Sequence, residues 1–166
     1  MKDPKVAVIM GSASDMAAMQ PAVDVLGELA VPVEVRVLSA HRTPERAIEF
    51  ARTAADRGVK VIICGAGGAA HLGGVVAAFT LLPVIAVPLG RSLAGLDSLY
   101  AMVQMPPGIP VATVAIDGAQ NAGLLAAEIL ALADADLRVA LGRRREDMAQ
   151  KVASADEEIR TKHSRL

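Results

Sequence analysis

Val59-Lys-Val-Ile-Ile-Cys-Gly-Ala-Gly-Gly-Ala-Ala-His-Leu72 is the stretch on which the fold turns. Val59 to Cys64 is an essentially continuous apolar run rich in β-branched residues, the pattern of a strand covered on both faces. Small residues from Gly65 onward break it, and Ala69 to Phe79 then reads as a helix. The same unit recurs on either side. Lys5 to Met10 precedes Asp15 to Leu29, where Met16, Met19, Val23 and Leu26 return at helical spacing. Val33 to Leu38 precedes Pro44 to Arg57, which Pro44 opens and Gly58 stops. Pro83 to Val87 with Leu96 to Gln104, and Val111 to Ile116 with Ala119 to Leu132, complete the series. Alternation of this kind predicts an α/β fold: a three-layer, doubly wound parallel sheet with right-handed crossovers over both faces. Five strands favour the flavodoxin-like arrangement over the longer Rossmann one, although strand order is not legible at this level.

After Asp134 the character changes to a charged helical tail, Asp136 to Ile159. Its apolar positions Leu137, Val139, Ala140, Leu141, Met148 and Val152 make an incomplete stripe, so it is either a solvated helix or one that packs on a neighbouring subunit. The expected organisation is one α/β domain over 1–133 with a C-terminal helical extension over 134–166. The 166 residues and the apolar fraction of 53% suffice for a single buried core. A net charge of −1 and three aromatic residues offer neither the basic footprint nor the stacking surface of a nucleic-acid binder. A single cysteine, Cys64, excludes an internal disulfide and a multi-cysteine metal site, and it reads as inert core at the end of an apolar strand. With no leader-like start and no apolar run of spanning length, the expectation is a cytoplasmic protein with no membrane partner.

Three loops follow strand ends, the edge at which open parallel sheets bind ligands. In Ser39-Ala-His-Arg-Thr-Pro44, His41 carries a side chain that titrates near neutrality and is a candidate general acid/base, the alternative being a buried structural histidine. Gly11-Ser-Ala-Ser-Asp15 sets hydroxyls and free backbone N–H groups at a helix start, a phosphate cradle that lacks both the dinucleotide and the Walker fingerprints. A purely structural role for Ser14 or Asp15 is a helix cap. Asp15 would repel a phosphate but accept hydrogen bonds from ribose hydroxyls, which favours phosphate plus sugar. The small residues Gly65 to Gly74 let backbone approach a flat ligand, though tight helix–sheet packing would use glycine as well.

Taken together, six segments in order resemble the purine-biosynthetic carboxylase (PurE) family over about residues 5 to 132: Met10-Gly-Ser-Ala-Ser-Asp15, Ser39 to Pro44, Gly65-Ala-Gly-Gly-Ala-Ala-His-Leu72, Asp97-Ser-Leu-Tyr100, Val103-Gln-Met-Pro106 and Asn121-Ala-Gly-Leu-Leu-Ala126. Arg42 combined with His71 resembles the microbial N5-carboxyaminoimidazole ribonucleotide mutase branch; direct AIR carboxylases carry lysine after the catalytic histidine. The resemblance implies conversion of N5-carboxyaminoimidazole ribonucleotide (N5-CAIR) into 4-carboxy-5-aminoimidazole ribonucleotide (CAIR), with no metal, nucleotide or biotin. His41 would be the catalytic proton carrier. Ser12, Ser14, Asp15, Ser39 and Arg42 would hold the ribonucleotide, Arg42 at the phosphate, while Gly67, Ala69, Ala70, His71 and Leu72 would line the imidazole and carboxylate, with His71 in support. A cytoplasmic homo-octamer is implied, with the tail helix exchanging contacts between subunits. Departures are Gly73 where proline is usual, a segment Gly90 to Gly95 one residue short, and a shortened Ile116 to Asn121 with Asp117 in place of a small residue. The remaining alternatives are direct carboxylation of aminoimidazole ribonucleotide (AIR) by carbon dioxide and a non-enzymatic flavodoxin-like binding module.

Overall fold

The computed structural model describes residues 3–164. The chain divides into two compact units, Met1–Ile129 and Leu130–Leu166. In the first, β1 (Val6–Met10) is an interior strand of the sheet and shows no exposed surface at any of its residues. Each of its Val, Ile and Met side chains contributes about 1.5–3 kcal/mol on burial, so an unbroken apolar strand is stable only where helices cover both faces. β1 pairs in parallel with β2 (Val33–Val37) on one side and β3 (Val61–Gly67) on the other. β4 (Val84–Leu89) and the short β5 (Ala112–Thr113) extend the sheet, giving the order β2-β1-β3-β4-β5.

α1 (Met16–Glu28), α2 (Pro44–Thr53), α3 (Leu72–Ala77), α4 (Leu96–Val103) and α5 (Ala119–Ala131) supply the crossovers. One face of the sheet packs Ala7, Ile9, Ile62, Cys64 and Ala86 against Phe50 of α2, Val76 of α3 and Met102 of α4. On the other face α1 and α5 meet closely at Gly123, where a Cβ would lie 2.5 Å from Val25 Cγ1 and 3.0 Å from the Ala22 carbonyl oxygen. Gly123→Ala is therefore expected to lower the unfolding free energy by about 1–3 kcal/mol. A shifted urea midpoint at constant slope is the readout; an unmoved midpoint would contradict so close a helix contact. Burial raises the Cys64 thiol pKa far above its ordinary value, as expected of an inert core side chain.

The sequence-level boundaries are corrected at several elements: α2 ends at Thr53 rather than Arg57, and β4 runs on to Leu89 rather than stopping at Val87. β3 does not stop at Cys64 but continues through Gly65, Ala66 and Gly67, because these pair with Val87, Pro88 and Leu89 of β4. Consequently α3 starts at Leu72 and ends at Ala77, well short of Ala69 to Phe79. β5 keeps only Ala112 and Thr113 of the expected Val111 to Ile116, since its ladder to β4 reaches no farther than Ile85 and Ala86. In the second unit, α6 (Ala135–His163) is one long helix whose start is capped by Asp134, its side chain accepting from Leu137 N at 3.0 Å. His163, at its far end, is exposed. Among the described residues no helix is long and apolar enough to cross a membrane.

Candidate functional site

From β1 the chain runs to β2 at one edge, then crosses back over to β3 on the opposite side of β1. This reversal separates the loops leaving β1 and β3, and the crevice between them at the carboxyl ends is the binding position of such folds. A cavity of about 430 Å³ occupies it.

After β1 come Gly11, Ser12, Ser14 and Asp15. Ser12 caps a 3-10 turn over Ala13–Asp15: its hydroxyl accepts from Ser14 N at 3.3 Å, and Asp15 Oδ2 accepts from Ser12 N at 3.1 Å. The side-chain cap is thus made by Ser12, on the turn that leads into α1, with Asp15 closing the reciprocal half of a capping box; Asp15 also stands at the N-cap position of α1 but makes no side-chain cap bond there. Capping and lining the cavity are performed by the same residues. The Ser14 hydroxyl adds a bond to Ser12 Oγ at 2.9 Å.

Beyond β2, Ser39, Ala40, His41 and Arg42 line the cavity. Thr43 ties this turn shut, its Oγ1 accepting from Ser39 N at 3.0 Å and donating to Ser39 O at 3.2 Å. Pro44 then opens α2. Arg42 bridges two loops, Nη2 donating to Gly11 O at 3.0 Å while Ser39 Oγ accepts from Arg42 N at 3.1 Å. The turn is held firmly, yet His41 and Arg42 are exposed.

The end of β3 and the turn into α3 add Ala66, Gly67, Gly68, Ala70, His71 and Leu72. Gly68 at φ +62° and Ala70 at φ +49° turn the backbone sharply here. Ala69, expected among the binding residues, is exposed between them and does not line the cavity. Gly65 is a packing residue, since a Cβ there would lie 2.3 Å from Met19 Sδ. The two interpretations of the glycine run therefore divide by position. His71 reaches across to the second loop: its Nδ1 is 2.7 Å from His41 Nε2, and the rings meet edge to face with centroids 4.9 Å apart. At that separation one imidazole donates and the other accepts, so the pair shares a single proton along this contact.

A fourth loop, after β4, contributes Arg91 and Ser92, which the sequence analysis missed. Its signal was available, because Arg91 stands just beyond the end of an apolar strand much as His41 and Arg42 do. Arg91 Nη2 lies 2.7 Å from Asp15 Oδ1 and Nε 3.2 Å from the same atom. The two shortened segments meet beside it: Asp117, at φ +54°, accepts from Gly90 N at 3.1 Å. Farther along, the Ser92 hydroxyl and the Ser98 backbone N–H hold the Asp97 carboxyl below its usual pKa range. Two guanidinium groups against one carboxylate suit an anionic ligand bearing hydroxyls. No cluster of three or more His, Cys, Asp or Glu suited to a metal ion occurs among the described residues.

Sheet order and cavity together define a flavodoxin-like protein with a polar cavity at its topological switch point, lined by paired histidines and two arginines. The family model for AIR carboxylase matches residues 5–151. The chain is 60% identical over 146 residues to the N5-carboxyaminoimidazole ribonucleotide mutase of Pyrococcus abyssi, covering 87% of this chain and 84% of that one. It is 55% identical over 159 residues to the mutase of the same description from Bacillus subtilis, covering 94% and 98%. The crystal structure of Treponema denticola PurE superposes with a TM-score of 0.85 at 33% identity, covering 93% of this chain and 98% of that one. This chain belongs to the AIR carboxylase family.

Proposed function

We propose that this chain converts N5-CAIR into CAIR in purine biosynthesis, with His41 as the proton carrier. The observation that carries the assignment to His41 is its position on the cavity with Nε2 2.7 Å from His71. Loss of carbon dioxide from the exocyclic nitrogen requires a proton there; attack of the ring carbon C4 on that carbon dioxide leaves a C4 proton to be removed. One imidazole delivers the first proton and collects the second, so the isomerisation balances with no co-reactant. His71 supports this by fixing which His41 nitrogen faces the substrate.

Arg42 meets the phosphate, with Ser12, Ser14 and Ser39 beside it and Asp15 at the ribose. Gly67, Ala70 and Leu72 line the ring. Ala69 acts from outside the cavity lining, through the course of its backbone. The small residues restrict water around trapped carbon dioxide, favouring recapture over escape. A homo-octamer in the cytoplasm belongs to the same proposal; exposed Val139, Met148, Val152 and Ile159 on α6 and Val35 and Val37 on β2 support an assembly.

The discriminating assay offers purified protein each substrate in turn. CAIR formation from N5-CAIR is the expected result. Turnover only from AIR with bicarbonate would make the chain a direct carboxylase, and none with either would leave a binding module.

A further inference from the structure

Arg91 belongs to none of the six segments that carry the family resemblance, yet it is bound on both sides into the site. Its stem lies on Gly67, where an added Cβ would come within 2.6 Å of Arg91 Cγ and 3.1 Å of Arg91 Cβ. Glycine at 67 thus makes room for this arginine. Its head grips the β1 loop, donating to the Ser14 carbonyl oxygen and twice to Asp15 Oδ1. The pair is asymmetric: the Arg91 side chain is 48% exposed and that of Asp15 only 10%.

A carboxylate offers about four acceptor positions, two on each oxygen. Both on Asp15 Oδ1 are taken by Arg91 and one on Oδ2 by Ser12 N, which leaves a single acceptor on Oδ2. We propose that Arg91 is a positioning residue for the ribonucleotide: it turns Asp15 so that this last acceptor meets a sugar hydroxyl, and it cancels a negative charge that would repel the phosphate. The inference rests on the function proposed above. It couples three loops, from Gly67 through Arg91 to Asp15, that are far apart in the chain.

Steady-state kinetics on N5-CAIR with Arg91→Met, Asp15→Asn and the double variant test it. Arg91→Met is expected to raise KM about tenfold with kcat within about threefold of wild type, since the lost interaction serves ground and transition states alike. Because the effect passes through Asp15, the double variant should bind no worse than Asp15→Asn alone. An unchanged KM in Arg91→Met overturns the proposal, as does a penalty carried in full into the Asp15→Asn background, which would mark a contact independent of Asp15. Arg91→Leu, keeping an apolar stem beside Gly67 and no donor, replaces Arg91→Met if that variant melts early, with the same expectation. Wild-type protein inactive on N5-CAIR would overturn the function and this inference together, whereas an active wild type with an unaffected variant overturns this inference alone.

Discussion

His41→Asn is expected to lower kcat on N5-CAIR by about 10²–10⁴-fold, the range for loss of a positioned general acid/base. The upper part of that range applies, because in the proposed mechanism one imidazole serves both the protonation that frees carbon dioxide and the deprotonation that follows its recapture. Asparagine is smaller and neutral, and its amide cannot hold and return a proton near neutral pH. KM should stay within about threefold, since Arg42, Ser12 and Ser39 are untouched. The fold is not at risk: His41 is exposed, and the turn around it is closed by Ser39 and Thr43. A kcat near that of wild type would remove His41 from the mechanism.

Arg42→Met should act in the opposite manner, raising KM by about 30- to 1000-fold with a much smaller change in kcat. Two charge-assisted hydrogen bonds to a phosphate are worth about 2–4 kcal/mol together, which that ratio expresses. In the proposed binding mode the phosphate is remote from the reacting carbon and makes the same contacts in ground and transition states, so the loss of Arg42 falls on binding. Arg42 also ties Gly11 to Ser39, but both loops keep their own closures through the Ser12–Asp15 cap and Thr43. Added salt should weaken wild-type binding more than that of the variant, because screening acts on the charge removed. An unchanged KM would take Arg42 away from the phosphate.

Local periodicity carried much of the fold. The strand-then-helix alternation, the Pro44 start of α2 and the burial of Val61 to Cys64 follow from residue spacing and backbone preference, which operate over a few positions. The errors lie where a partner strand overrode local signals. Gly65 to Gly67 read as loop by composition but are strand by pairing with β4, and glycine tolerates that conformation because it tolerates most. Arg91 was missed for a related reason: its place just past an apolar strand marks it only as a loop residue at the binding edge, and the partners that give it a role, Asp15 and Ser14, lie 76 and 77 positions away.

From the sequence alone came the α/β class, the motifs that mark the family, and three of the four turns that line the cavity. Tertiary structure decided which turns share one cavity. His41 and His71, 30 positions apart, touch because β2 and β3 flank β1, and Arg91 reaches Asp15 because β4 lies next beyond β3. Strand order is set by the summed packing of helices on both faces and by the hand of the crossovers, a global minimum that short-range spacing does not encode.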